Sequence, residues 1–281
     1  MAARRLVVAV LAALLVAGCA ATTTGPSMAV GARKDAQSRL LASLYAAALR
    51  SYGTPAHVEV LPDPFTGLDS GDVTVVAGFT GRLLNTFAPG AKARAATQVY
   101  RDMVSALPEG VAAGDFAEAA EDKPALAVTE ATAEAWRGRD VTAAVRNCDK
   151  LEVGHVADAP PQTTVGTCTV KANDYPRAAE LFEALRIGRI NAAWTSTADP
   201  DIPADTIVLT DRTALIRAEN VVPLYRRNEL SEMQVLALNE VAGVLDTAGL
   251  VQMRRQVEAG SDPAHVADEF FAEHPLGATS R

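Results

Sequence analysis

The chain has 281 residues, with 26 basic against 34 acidic side chains, a formal net charge of −8, and a composition that is 49% hydrophobic but only 5% aromatic. That length supports one large hydrophobic core or two of ordinary size. The acidic balance, with no run of Lys or Arg longer than two, excludes a nucleic-acid partner, because phosphate binding needs a basic surface.

Arg4 and Arg5 precede an apolar run, Leu6 to Val16, that is about half the roughly 20 residues a helix needs to span hydrocarbon. The run reads as a signal segment over 1–18 rather than a transmembrane helix. Leu15-Val16-Ala17-Gly18-Cys19 resembles the lipobox of bacterial lipoproteins, in which the cysteine thiol takes a diacylglyceryl group and becomes the new N-terminus. The alternative is an ordinary cleaved secretory signal. Residues 19–26 then form a flexible tether, and the remaining chain carries 24 basic against 34 acidic residues. So acidic a protein stands off from an anionic bilayer, which leaves the acyl chains to hold it at the extracytoplasmic face of the cell membrane.

Ser27 to Gly31 predicts a strand, and Leu40, Leu41, Leu44, Tyr45, Ala48 and Leu49 recur at helical spacing within a helix over Asp35 to Tyr52. Gly53 stops that helix. Strands follow at His57 to Leu61 and Val73 to Ala77, with helix-like sequence at Leu83 to Phe87 and Ala91 to Leu107. This alternation predicts an α/β fold with a largely parallel sheet. A second region brings a strand at Ala125 to Val128, a helix with Thr129 as N-cap, a helix over Pro176 to Ile187 ended by Gly188, and a buried strand from Ile190 to Trp194. Beyond it the sequence predicts long helices. Ser231 and Gln234 form a capping box opening a helix over Glu232 to Asp246, and Asp262-Pro263 caps a last helix ending near His274.

With Cys19 assigned to lipid, Cys148 and Cys168 are an even pair in an oxidising compartment, so either a disulfide or two buried thiols is expected. No Cys-x-x-Cys spacing accompanies them, and the four histidines, His57, His155, His265 and His274, are scattered. No metal, cofactor or catalytic constellation is expected, and the acids from Glu118 to Asp122 read as a solvated turn.

Several stretches in order resemble the substrate-binding proteins of ABC importers for glycine betaine, choline and related osmoprotectants. They are Val30-Gly31-Ala32-Arg33-Lys34 with Gln37 and the helix from Leu40 to Tyr45, then Ser70-Gly71-Asp72-Val73, then Gly78-Phe79-Thr80-Gly81-Arg82-Leu83-Leu84. Lys123-Pro124 through Thr129 with Thr132-Ala133-Glu134, Leu185 through Ile190 leading to Thr195-Ser196-Thr197, and Asp262-Pro263 to Pro275 complete the series. The resemblance implies a two-lobed, type II periplasmic-binding-protein-like fold with two hinge crossings. Lobe I would comprise 27–121 and 197–281, lobe II 122–196, and the hinges would lie near Glu121 to Lys123 and Thr195 to Thr197. It also implies a monomer that closes over a small solute and delivers it to ABC permease subunits.

Candidate ligand contacts are Arg33 and Lys34 in the first loop, Phe79 and Thr80 at the cleft turn, and His155 in the second lobe. Thr195, Ser196 and Thr197 at the crossing, and Arg217 with Asn220, complete the set. Each has a bland alternative as a solvated charge or a packed side chain. A quaternary ammonium group is held by aromatic faces. Where the family carries a late aromatic cluster ending in Tyr-Asn, this chain reads Leu215-Ile216-Arg217-Ala218-Glu219-Asn220. A more polar or acidic small solute therefore stands beside a betaine.

Overall fold

Ten successive residues, Leu40 to Leu49, are buried on every side of the first helix, α1 (Ala36–Ser51), and the first of two sheets is built against it. A computed structural model describes residues 27–158 and 162–277; the signal, the tether and Cys19 lie outside the described residues. Asp35 caps α1 by accepting from the Ser38 amide at 2.8 Å.

The first sheet has the order β2-β1-β3-β12-β4. Here β1 is Met28–Ala32, β2 Ala56–Val60, β3 Val75–Phe79, β4 Val111–Ala113 and β12 Val221–Arg226. β1 runs parallel to β2 and β3, while β12 is inserted antiparallel between β3 and β4. Three short helices, α2 (Pro64–Ser70), α3 (Thr80–Phe87) and α4 (Ala96–Ser105), link its strands. Three C-terminal helices, α8 (Glu232–Val244), α9 (Thr247–Glu258) and α10 (Pro263–Glu273), close one core around α1. The predicted capping box is formed, with Ser231 and Gln234 bonded in both directions.

The second sheet has the order β11-β5-β10-β6-β9, made of β5 (Pro124–Thr129), β6 (Val153–Val156), β9 (Ala172–Tyr175), β10 (Ala192–Ser196) and β11 (Thr206–Val208). Helices α5 (Glu130–Ala135), α6 (Val141–Arg146) and α7 (Ala178–Arg186) pack on it, and a small hairpin of β7 (Thr164–Val165) and β8 (Cys168–Thr169) lies beside it. Cys148 and Cys168 are joined in a disulfide with Cα atoms 5.8 Å apart, so the open alternative of free thiols is settled.

The expected lobe boundary at 196/197 needs correction. After β10 the chain dips to the first lobe, where Ala198 is fully buried in the core around α1, and then climbs back to form β11 antiparallel to β5. Leu215 and Ile216 still pack in the second lobe's core. The final return falls at 217–220, where Asn220 bridges Glu121 of the outgoing crossing. The physical reason is that Thr206-Ile207-Val208 finds an unpaired sheet edge at β5, which the local sequence does not announce.

Candidate functional site

The pairing registers place the carboxyl ends of β3 and β10 at the crossings, since Phe79 pairs with Val221 and Ser196 with Pro124. Loops after parallel strands, and the helix starts that follow them, therefore gather where the two sheets meet, which is where open α/β sheets hold ligands.

Asp122 is the polar centre of this region. Although it closes the acidic run read as a solvated turn, it is only 3% exposed. One of its oxygens, Oδ2, accepts from Gln37 Nε2 at 2.8 Å and Arg82 Nη2 at 2.9 Å. The other, Oδ1, accepts from Ser196 Oγ at 2.5 Å and Arg254 Nη1 at 3.4 Å. Burial by itself would raise its pKa, but the hydrogen bonds from Ser196 and Gln37 and the charges of Arg82 and Arg254 hold it below the usual carboxylate range. Glu219, on the return crossing, accepts from the Arg82 amide at 2.9 Å. Burial pushes its carboxyl up to about 7 against the opposing Arg82 charge.

Thr80 and Asn220 lock the crossing to the start of α3. The Thr80 amide donates to the Asn220 carbonyl at 2.9 Å, and the Asn220 amide donates to Thr80 Oγ1 at 3.1 Å. Asn220 Nδ2 also reaches the carbonyls of Ala117 and Glu118, both at 3.1 Å. Both side chains are buried and bonded to the backbone, with Asn220 Oδ1 left without a hydrogen-bond partner among the described residues. Thr197 joins the same frame, accepting from the Lys123 amide and donating to the Glu121 carbonyl, each at 3.0 Å.

A cavity of about 170 Å³ opens in the first lobe beside Asp122's partners, and its wall includes Arg33, Gln37, Ser38, Phe79 and Arg82. Of the sequence-predicted contacts, Arg33 and Phe79 thus line a cavity, whereas Lys34 is an exposed neighbour. Thr195 is tied to Asp199 at 2.5 Å, and His155 pairs with Asp174 at 2.7 Å on the β6–β9 side. Arg217 does not line this cavity; its guanidinium donates to the carbonyls of Ala91 and Ala93. Sequence reasoning missed Asp122 and Arg82 as site residues; Arg82 lies inside a stretch that carried the family resemblance, and Asp122 only inside the segment expected as a hinge. A larger cavity of about 420 Å³ lies between α7 and the 201–206 segment, but no residue of the crossings lines it, so it is not the interlobe site. Among the described residues no group of three or more His, Cys, Asp or Glu could hold a metal ion.

Two α/β lobes joined through paired crossings, with polar groups gathered at the junction, define a type II periplasmic-binding-protein fold. A crystal structure of a glycine betaine/carnitine/choline ABC transporter shares it, with a TM-score of 0.73 at 16% identity, covering 88% of this chain and 98% of that one. Apo YehZ from Escherichia coli is similar at a TM-score of 0.70 and 18% identity, covering 89% and 99%. An ABC-transporter choline binding protein in complex with choline gives 0.54 at 15% identity, covering 89% of each chain. No curated protein matches the chain in sequence. The family model for the substrate binding domain of ABC-type glycine betaine transport systems matches residues 26–273, and the chain belongs to that family.

Proposed function

We propose that this chain is the solute-binding component of an ABC importer, anchored through Cys19 at the extracytoplasmic face of the cell membrane, and that it takes a small polar solute between its lobes. Family membership over residues 26–273 carries this reading. The junction supports it: a buried carboxylate joined to both lobes, a small polar-walled cavity beside it, and crossings that act as a pivot. A solute shifts such a pair of lobes toward closure only through contacts that the open form lacks. The chain works as a monomer that presents the closed form to permease subunits.

A second reading, a lipoprotein of the same fold that serves as a sensor or envelope interaction partner without delivering solute, draws on the nearly buried ring of Phe79. Thermal unfolding of the full chain against betaines, choline, amino acids, polyols and carboxylates separates the two. A bound compound at 100 times its Kd adds about 2.7 kcal/mol of stability. Stabilisation by one class is expected, and silence across the panel would favour the second reading.

A further inference from the structure

The ring of Phe79 is only 5% exposed, and the Arg82 guanidinium carbon stands 4.4 Å from its centroid. Arg82 is fixed in that position by Asp122, whose Oδ2 and backbone carbonyl accept from its Nη2 at 2.9 and 3.3 Å. The aromatic face at this cavity therefore already carries a cation, and it is a tethered one. A quaternary ammonium solute would have to displace the guanidinium from the ring and would be repelled by it on approach.

The same side chain is presented outward for an anion. It is 51% exposed, and neither Nε nor Nη1 has a hydrogen-bond partner among the described residues. Arg33 lines the same cavity. The nearby acids already have donors of their own: Asp35, which lines the same cavity, accepts from the Ser38 amide, Asp122 takes donors on both oxygens, and Glu219 accepts from the Arg82 amide. A guanidinium with Nε–H and Nη1–H groups left to donate suits a carboxylate, which it can engage through charge-assisted hydrogen bonds.

We infer that the cavity takes a small carboxylate lacking a quaternary ammonium group, bound through Arg82 and Arg33, and that Arg82 is the specificity-determining residue. This rests on the solute-binding reading above and narrows it to one chemical class.

Isothermal titration of the full chain with acetate, succinate, glutamate, glycine betaine and choline tests it. Wild type is expected to bind at least one of acetate, succinate and glutamate and to give no heat with glycine betaine or choline, and binding of glycine betaine in preference to these carboxylates would overturn the inference. Arg82→Gln is expected to lower carboxylate affinity about tenfold or more and to admit choline to the uncovered ring. Arg82→Lys keeps the charge without the planar fork, so it should bind carboxylates several-fold more weakly and still refuse choline, and it carries the test should the glutamine variant fail to fold. Choline binding by wild type, unchanged in Arg82→Gln or Arg82→Lys, would overturn the inference while leaving solute binding intact. Silence from wild type and both variants with every probe would overturn both.

Discussion

Glu219 and Asp122 lie on neighbouring crossings and share the Arg82 side chain's field, yet their carboxyls titrate in opposite directions. Asp122 collects four donors that outweigh its burial, whereas Glu219 is 8% exposed and receives one backbone N–H, too little to offset desolvation. With a folded pKa of about 7 against an ordinary 4.5, Glu219 holds a proton in the native state that the unfolded chain has released. Its contribution is therefore present below pH 4.5 and lost as pH rises through 7, a change of up to about 3 kcal/mol. Asp122 works the other way, losing its contribution only as pH falls below the usual carboxylate range. Glu219→Gln keeps an acceptor for the Arg82 amide without the ionisation, so urea unfolding at pH 5 and pH 8 should show the variant gaining stability over wild type at pH 8. An unchanged difference between the two pH values would rule out this assignment.

At the scale of elements, the turn from β3 into α3 is pressed against the return crossing. A Cβ at Gly81 would stand 2.5 Å from the Ala218 carbonyl oxygen and 2.8 Å from the Glu219 carboxyl carbon, and the nearer obstacle is backbone that cannot swing aside. Gly81→Ala should therefore cost about 1 to 3 kcal/mol, read as a fall in the denaturation midpoint, whereas alanine at an open helical site would stabilise. Elements with a clean local signal were legible in the sequence. α1 announces itself by apolar spacing, and the α8 capping box by Ser231 and Gln234. β12 did not, because Pro223 sits within it and proline argues against an interior strand. The structure tolerates Pro223 because it lies opposite Gly114, just past the end of β4: its carbonyl accepts from the Gly114 amide at 2.9 Å, and the Gly114 carbonyl that its missing N–H would face accepts from the Tyr100 hydroxyl at 2.9 Å instead. Asp122 was illegible for a different reason. Its burial depends on Gln37, Arg82, Ser196 and Arg254, partners brought from far along the chain, while its immediate neighbours make an acidic run that looks solvated.

At the scale of the molecule, the two lobes have separate apolar cores, one around α1 and one that includes Leu126, Val165, Cys168 and Trp194. What joins them is largely polar: Asp122 and its donors, Thr197 against Glu121 and Lys123, and Arg254 and Arg255 holding the carbonyls of Ala198 and Pro200 at 2.7 and 3.0 Å. Such a junction couples the lobes less firmly than a shared core would, so their stabilities can be moved apart. The disulfide lies wholly in the second lobe, tying the turn at Cys148–Lys150 to the hairpin that carries Val165. Opening a loop of this size costs about 3 kcal/mol in the chain-entropy model. That loss falls on the second lobe alone, since no cysteine belongs to the core around α1. Scanning calorimetry of the full chain with and without reductant should therefore show one transition dividing in two, the lower one displaced by several degrees and the upper one close to its original temperature. A single transition that moves as a whole would mean that the crossings bind the lobes into one cooperative unit, and the pivot described by Asp122, Thr197 and Ala198 would then be a rigid strut.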